Sequence, residues 1–123
     1  MAEQSQRFEN SAGDPLNKLP QIISAYIEAS NTRDGERLGT LFTKDAVVHD
    51  EGHEHRGTAA IKKWLAATAR KYAFTLTPIR LLQKENEMIL TAKMTGEFPG
   101  SPISARFQFV LDEGRIAKLN IRA

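Results

Sequence analysis

The second half of the chain constrains the fold most. From Phe74 to Arg122 it reads as four β-forming runs: Phe74–Lys84, Met88–Phe98, Ile103–Leu111 and Ile116–Arg122. The separators are Glu85-Asn86-Glu87, Pro99-Gly100-Ser101-Pro102 and Asp112-Glu113-Gly114. Connections this short join antiparallel neighbours, because a parallel pair needs a long crossover. In the third run, alternation puts Ile103, Ala105, Phe107, Phe109 and Leu111 on one face and Arg106, Gln108 and Val110 on the other. A meander with one apolar face has to bury it, and the segments available to do so lie upstream.

Those segments read as helices. Over Leu16–Thr32, the residues Leu19, Ile22, Ile23, Tyr26, Ile27 and Ser30 recur at helical spacing, with Asp14-Pro15 as the start. Asn31–Gly35 breaks the pattern, and a shorter helix follows with Leu38, Leu41 and Phe42 on its buried side. Lys44-Asp45 reads as a turn, Ala46–Asp50 as a strand and Glu51–Arg56 as a tight hairpin. A third helix over Thr58–Tyr72 has Thr58 as its cap and Ala60, Ile61, Trp64, Leu65 and Thr68 as its apolar stripe.

Three helices cover one face of such a sheet, and long twisted strands curl around them. The expected fold class is α+β: a cone-shaped, cystatin-like roll with three N-terminal helices in a strongly curved, mostly antiparallel sheet. The expected domain spans residues 15–123, behind a polar, disordered tail at 1–14. The outward face of the third run is mixed, with Val110 among polar residues, so a second copy is expected to cover it in a homodimer.

Composition removes several function classes. The 123 residues suffice for one domain with a core. There is no cysteine, which excludes disulfides, thiol catalysis and thiolate metal sites. Net charge is only +2, with no basic run, so neither nucleic acid nor a membrane surface is an expected partner. No apolar run approaches the ~20 residues that span a bilayer. The polar N-terminus carries no signal-peptide pattern, and a cytoplasmic location is the expectation. Phosphate-loop, dinucleotide and Gly-x-Ser-x-Gly patterns are missing from the sequence, so no cofactor is expected.

The stretch Leu41–Asp50, LFTKDAVVHD, followed by Arg56-Gly57-Thr58-Ala59-Ala60-Ile61, resembles the SnoaL-like group of the nuclear transport factor 2-like superfamily, and within it ketosteroid isomerase. The likeness covers residues 18–123. It implies that Asp50 stands at the position of the general-base aspartate. It implies that Tyr26 stands at that of the tyrosine donating to the developing oxyanion, and Trp64 at that of a pocket-lining aromatic. The sequence departs from the isomerase pattern twice. Phe107 occupies the place of a second, protonated-aspartate donor, and Leu65 that of a further pocket tyrosine.

The residues also have readings of their own. Asp50 shares its strand face with Val48 and Ala46. In a cleft, desolvation would raise its pKa and make it a usable base; in solvent, it would merely cap a turn. Tyr26 is either a core residue or, if Asp50 faces the same cavity, a hydroxyl donor. Val48, Trp64, Leu65, Phe107 and Phe109 are the expected walls, and Glu97–Pro102 reads either as an ordinary turn or as part of the mouth. His49, His53 and His55 crowd among acids, yet neighbouring strand residues face opposite ways; no metal site is expected.

The expected function is binding of a small apolar, carbonyl-bearing molecule with cofactor-independent proton transfer, of isomerase, cyclase or dehydratase type. Asp50 would act as base and Tyr26 as donor. The alternative is a non-catalytic binding or scaffold module.

Overall fold

The computed structural model describes residues 19–71 and 73–123. The expected tail, the helix start at Asp14-Pro15 and Tyr72 lie outside the described residues.

Helix α1 spans Gln21–Asn31, buries Ile23, Tyr26, Ile27 and Ala29, and has Pro20 at its N-cap position. Helix α2, Gly35–Thr40, begins where the Asp34 side chain accepts from the Arg37 amide at 3.0 Å. It buries Leu38 alone. Leu41 closes α2 and Phe42 opens strand β1, Phe42–Asp50, so neither lies within the helix as expected. Sheet pairing overrides the helical periodicity here: Phe42 pairs with Ile116, whose amide donates to the Leu41 carbonyl at 2.8 Å. Lys44-Asp45 is likewise no turn. It lies within β1, where the register shifts between Phe42 and Val47.

Strand β2, His53–Arg56, returns antiparallel to β1 through Glu51-Gly52. Both turn residues are left-handed, φ 53° and 77°, as a two-residue hairpin requires. Helix α3 spans Thr58–Lys71 and buries Ile61, Trp64 and Leu65. Thr58 is its first residue rather than an external cap; its hydroxyl donates to the Lys44 carbonyl at 3.5 Å. Strands β3 (Phe74–Lys84), β4 (Glu87–Gly96), β5 (Ile103–Asp112) and β6 (Arg115–Arg122) form the meander.

The six strands lie in the order β2-β1-β6-β5-β4-β3, and every neighbouring pair except β1 and β6 is antiparallel. The sheet has two edges, and the helices lie between them. Helix α3 packs on β1 and β2, and α1 on β3. One contact draws the β3 edge onto α1. The Asn31 amide donates to the Leu76 carbonyl at 3.0 Å while its own oxygen accepts from the Leu76 amide at 2.8 Å. A side chain thus plays the part of a neighbouring strand and satisfies an edge.

The core fills the concave side. Phe109, Ile23, Ile61, Leu81, Leu90, Ile116, Leu119 and Val48 are fully buried. Tyr26 sets its ring edge-on to Phe109, with centroids 5.2 Å apart, and to Phe107 at 6.1 Å. Among the described residues, no helix is long and apolar enough to cross a membrane.

Candidate functional site in the cone

The core does not fill the cone to its open end. A cavity of about 620 Å³ remains, bounded by α1, α3, the ends of β1 and β6, and the start of β3. That is within the size range of small-molecule sites, and its walls are mostly apolar.

Asp50 and Tyr26 both line this cavity, reaching it from different elements. Asp50 is the last residue of β1, and alternation from the buried Ala46 and Val48 turns it inward. Tyr26 is buried on α1, 4% exposed, and no group among the described residues hydrogen-bonds its hydroxyl. Burial raises its pKa above the usual tyrosine value, and the negative charge of Asp50 adds to that rise. Tyr26 is therefore a neutral phenol with a proton to donate. An unpartnered buried hydroxyl is costly, and a ligand acceptor would satisfy it.

The Asp50 carboxyl is pushed above its ordinary range, first by burial and then by the charge of Glu51. The hydrogen bond from Trp64 and the charges of His55 and Lys71 pull in the other direction. The Trp64 indole donates from Nε1 to Oδ2 of Asp50 at 3.0 Å. Oδ1 receives no hydrogen bond from the described residues. One oxygen is thus held in place while the other is available to accept a proton.

Trp64 is held in turn. His55 of β2 stacks on its indole, centroids 5.9 Å apart and planes 28° apart. The other histidines go elsewhere: His49 approaches Glu54 at 4.0 Å and His53 is exposed. No cluster of three metal-ligating side chains occurs among the described residues.

Of the expected wall residues, Trp64, Leu65 and Phe107 line the cavity. Val48 and Phe109 do not: both are 0% exposed, in the close-packed base of the cone. Alternation correctly puts them on the inner face, but each strand runs from the packed base to the open mouth, and their position along it decides which they meet. Phe98 and Pro99, from the proline-bearing loop, line the mouth, and Gly96 ties that loop down by donating to Ser101 Oγ at 2.9 Å.

Sequence reasoning missed several residues. Met94 and Ile121 line the cavity and continue the inward alternation of their strands, so that signal was present. Arg33 and Arg122 also line it, and nothing in the pattern of the chain marks them. The Trp64–Asp50 hydrogen bond was likewise invisible, being formed between a strand end and a helix face.

A family model described as a SnoaL-like domain matches residues 23–119, from the start of the buried face of α1 to the centre of β6. The chain belongs to the SnoaL-like family. This SnoaL-like chain is 34% identical to a candidate polyketide cyclase from Sinorhizobium meliloti, over 87% of its own length and 98% of that chain, with a TM-score of 0.83. It shares its fold, at 21% identity and a TM-score of 0.75, with a hypothetical protein of ketosteroid isomerase-like fold from Catenulispora acidiphila in complex with trimethylamine; the match covers 85% of each chain. An epoxide hydrolase/cyclase-like enzyme of pyran ring formation in salinomycin matches at 19% identity and a TM-score of 0.73, over 83% of this chain and 87% of that one. Among curated proteins, none matches. The SnoaL-like and nuclear transport factor 2-like superfamily therefore accounts for the fold.

Proposed function

We propose that this SnoaL-like protein binds a small apolar, carbonyl-bearing molecule in the cone and moves a proton on it without a cofactor. One observation carries the reading: Asp50 and Tyr26 line the same apolar cavity. Asp50, with Oδ1 open, takes the proton from the carbon next to the carbonyl. The electron pair moves to the carbonyl oxygen, and the enolate is stabilised by the Tyr26 hydroxyl. The raised pKa of Asp50 narrows the gap to the carbon acid. Returning the proton from Asp50 to another carbon gives isomerisation; attack of the enolate carbon on a second carbonyl, whose oxygen takes that proton, gives cyclisation; loss of a neighbouring hydroxyl as water, carrying that proton away, gives dehydration. The candidate cyclase at 34% identity favours a reaction in this group.

A second reading, a non-catalytic binding module, draws on Phe107 and Leu65. Both line the cavity and neither can donate a hydrogen bond, so the position of the isomerase family's second oxyanion donor is without one. We also propose that the protein is a homodimer paired through the outer faces of its late strands.

Deuterium exchange at the activated carbon of beta-tetralone in D₂O, followed by NMR, separates the two readings. The enzyme reading expects exchange well above the buffer rate, abolished in Asp50→Asn and slowed by about 10²–10³ in Tyr26→Phe, the cost of one lost oxyanion donor. Tetralone binding without exchange would favour the binding module. Exchange that survives Asp50→Asn would remove Asp50 as the base.

A further inference from the structure

Arg33 stands at the cavity mouth, and no acid among the described residues pairs with it. Two of the neighbouring acids are engaged elsewhere. Glu28 bridges to Arg37 at 3.3 Å, and Asp34 caps the Arg37 amide. The Arg33 guanidinium is nevertheless fixed: Nη1 donates to the Asn31 carbonyl and Nη2 to the Phe74 carbonyl, each at 3.1 Å. These two bonds tie the end of α1 to the start of β3. They use two of the five guanidinium N–H groups and leave three free.

The backbone supplies a second, independent observation. Helix α1 ends in a Schellman motif: the Asp34 amide donates to the Ala29 carbonyl at 2.8 Å and the Arg33 amide to Ser30 at 3.1 Å. The position Arg33 holds in it normally belongs to glycine, because its backbone is left-handed; here φ is 57°. The chain accepts that strain and presents a charged side chain over the cavity.

The two acidic side chains of the lining are engaged. Glu51 pairs with Lys71 at 3.6 Å, and Asp50 is held by Trp64. Arg122, a second guanidinium on the lining, has no carboxylate partner among the described residues. The lining therefore carries two guanidinium groups that no carboxylate among the described residues pairs, together with Glu51 and Ala123, around an apolar interior that holds a proton donor and a base.

We propose that the ligand is an apolar carbonyl compound bearing a carboxylate, with Arg33 gripping the carboxylate at the mouth and Arg122 adding to the positive field. The proposal rests on the carbonyl-binding reading above and adds the substrate class. Tyr26 lies within α1 and Arg33 just past its end, so the ligand carries its carboxylate at a distance from its carbonyl. A planar guanidinium with free N–H groups suits a carboxylate in the two-point manner that a lysine does not reproduce.

The test compares naphthoylbutyric acid with its primary amide by titration calorimetry, in the wild type and in Arg33→Gly. Glycine suits the left-handed position, which offsets part of the loss of the two carbonyl contacts, and a urea titration confirms that the variant is folded under the conditions of the binding measurement. The wild type is expected to bind the acid about tenfold or more tightly than the amide, as charge-assisted recognition allows, and less selectively at high salt. Arg33→Gly is expected to bring the acid to within about twofold of the amide. Arg33→Lys is expected to fall between the two. Equal affinities in the wild type, or a preference that survives Arg33→Gly, overturn the proposal. Amide binding that still requires Tyr26 would then leave the carbonyl-binding reading standing. If neither probe binds, both ideas fall.

Discussion

The indole of Trp64 donates to the carboxylate of Asp50 at 3.0 Å, joining the inner face of α3 to the end of β1. The contact holds one carboxylate oxygen at the cavity wall and moderates the rise in pKa that burial imposes. It is also the part of the site that sequence reasoning did not anticipate.

Trp64→Phe keeps most of the aromatic volume and removes the donor. The pKa of Asp50 should rise further, because the contact that lowers it is gone while burial remains. The protein should lose about 1 kcal/mol or somewhat more, the usual worth of a hydrogen bond to a charged group at a half-exposed site. NMR titration of the Asp50 side-chain carboxyl provides the measurement. A pKa that stays put or falls in Trp64→Phe would show that the indole bond does not hold the charge.

Asp50→Asn should leave the protein at least as stable at pH 7. The folded state holds the Asp50 proton more tightly than the unfolded chain does, because its pKa is raised above the ordinary value of 3.8. As pH climbs through that value, the unfolded chain releases its proton first, and stability falls until the folded carboxyl has ionised too. Below both values the effect vanishes. Asparagine cannot ionise and escapes the loss, and its side-chain oxygen can still accept from Trp64. Urea titrations at pH 7 and near pH 3 should show any advantage of the variant shrinking at the lower pH. A loss beyond about 1 kcal/mol at pH 7, the size of a lost cap, would make Asp50 a structural residue.

Tyr26→Phe should be neutral or stabilising. The buried hydroxyl finds no partner among the described residues, and leaving such a group unsatisfied costs about 1–3 kcal/mol. The ring contacts with Phe107 and Phe109 survive the change. Thermal unfolding that shows more than about 1 kcal/mol of destabilisation would mean the hydroxyl has a structural partner, with a loss typical of a broken hydrogen bond.

Gly96→Ala should damage both stability and cavity. A β-carbon at Gly96 would collide with the Ala73 carbonyl oxygen, a backbone atom with little room to yield. Gly96 pairs with Phe74, which lines the cavity mouth, so the displacement reaches the site. Overpacking of this kind costs about 1–3 kcal/mol. A melting curve indistinguishable from wild type would refute the close approach.

The homodimer has a direct test. Leu82, 49% exposed, pairs with Ile89, and Ile89 pairs with Gln108, which makes a partly apolar row across the outer face of β3, β4 and β5. Light scattering at micromolar concentration should return twice the chain mass, and Leu82→Lys with Ile89→Lys should return the monomer. A monomer mass for the wild type would exclude pairing through this face.

Local chemistry made much of the fold legible. The long strands, their short turns and the apolar stripe of α3 depend on neighbours within a few residues, and Phe74–Lys84 emerged with the expected bounds. The inward turn of Asp50 followed from alternation along a single strand. The parallel pairing of β1 with β6 was different, because it joins segments about 70 residues apart through hydrogen bonds that no local pattern encodes. The same pairing drew Phe42 out of helix and Lys44-Asp45 out of a turn. The site shows the same division. Tyr26, Trp64, Leu65 and Phe107 could be assigned to an inner face from periodicity and resemblance. Whether an inner residue meets a packed base, as Val48 and Phe109 do, or an open cavity depends on where along the cone the side chains stop filling space. The bond from Trp64 to Asp50 and the anchoring of Arg33 on the Phe74 carbonyl were likewise decided by tertiary structure, since each depends on what a distant element brings within hydrogen-bond reach.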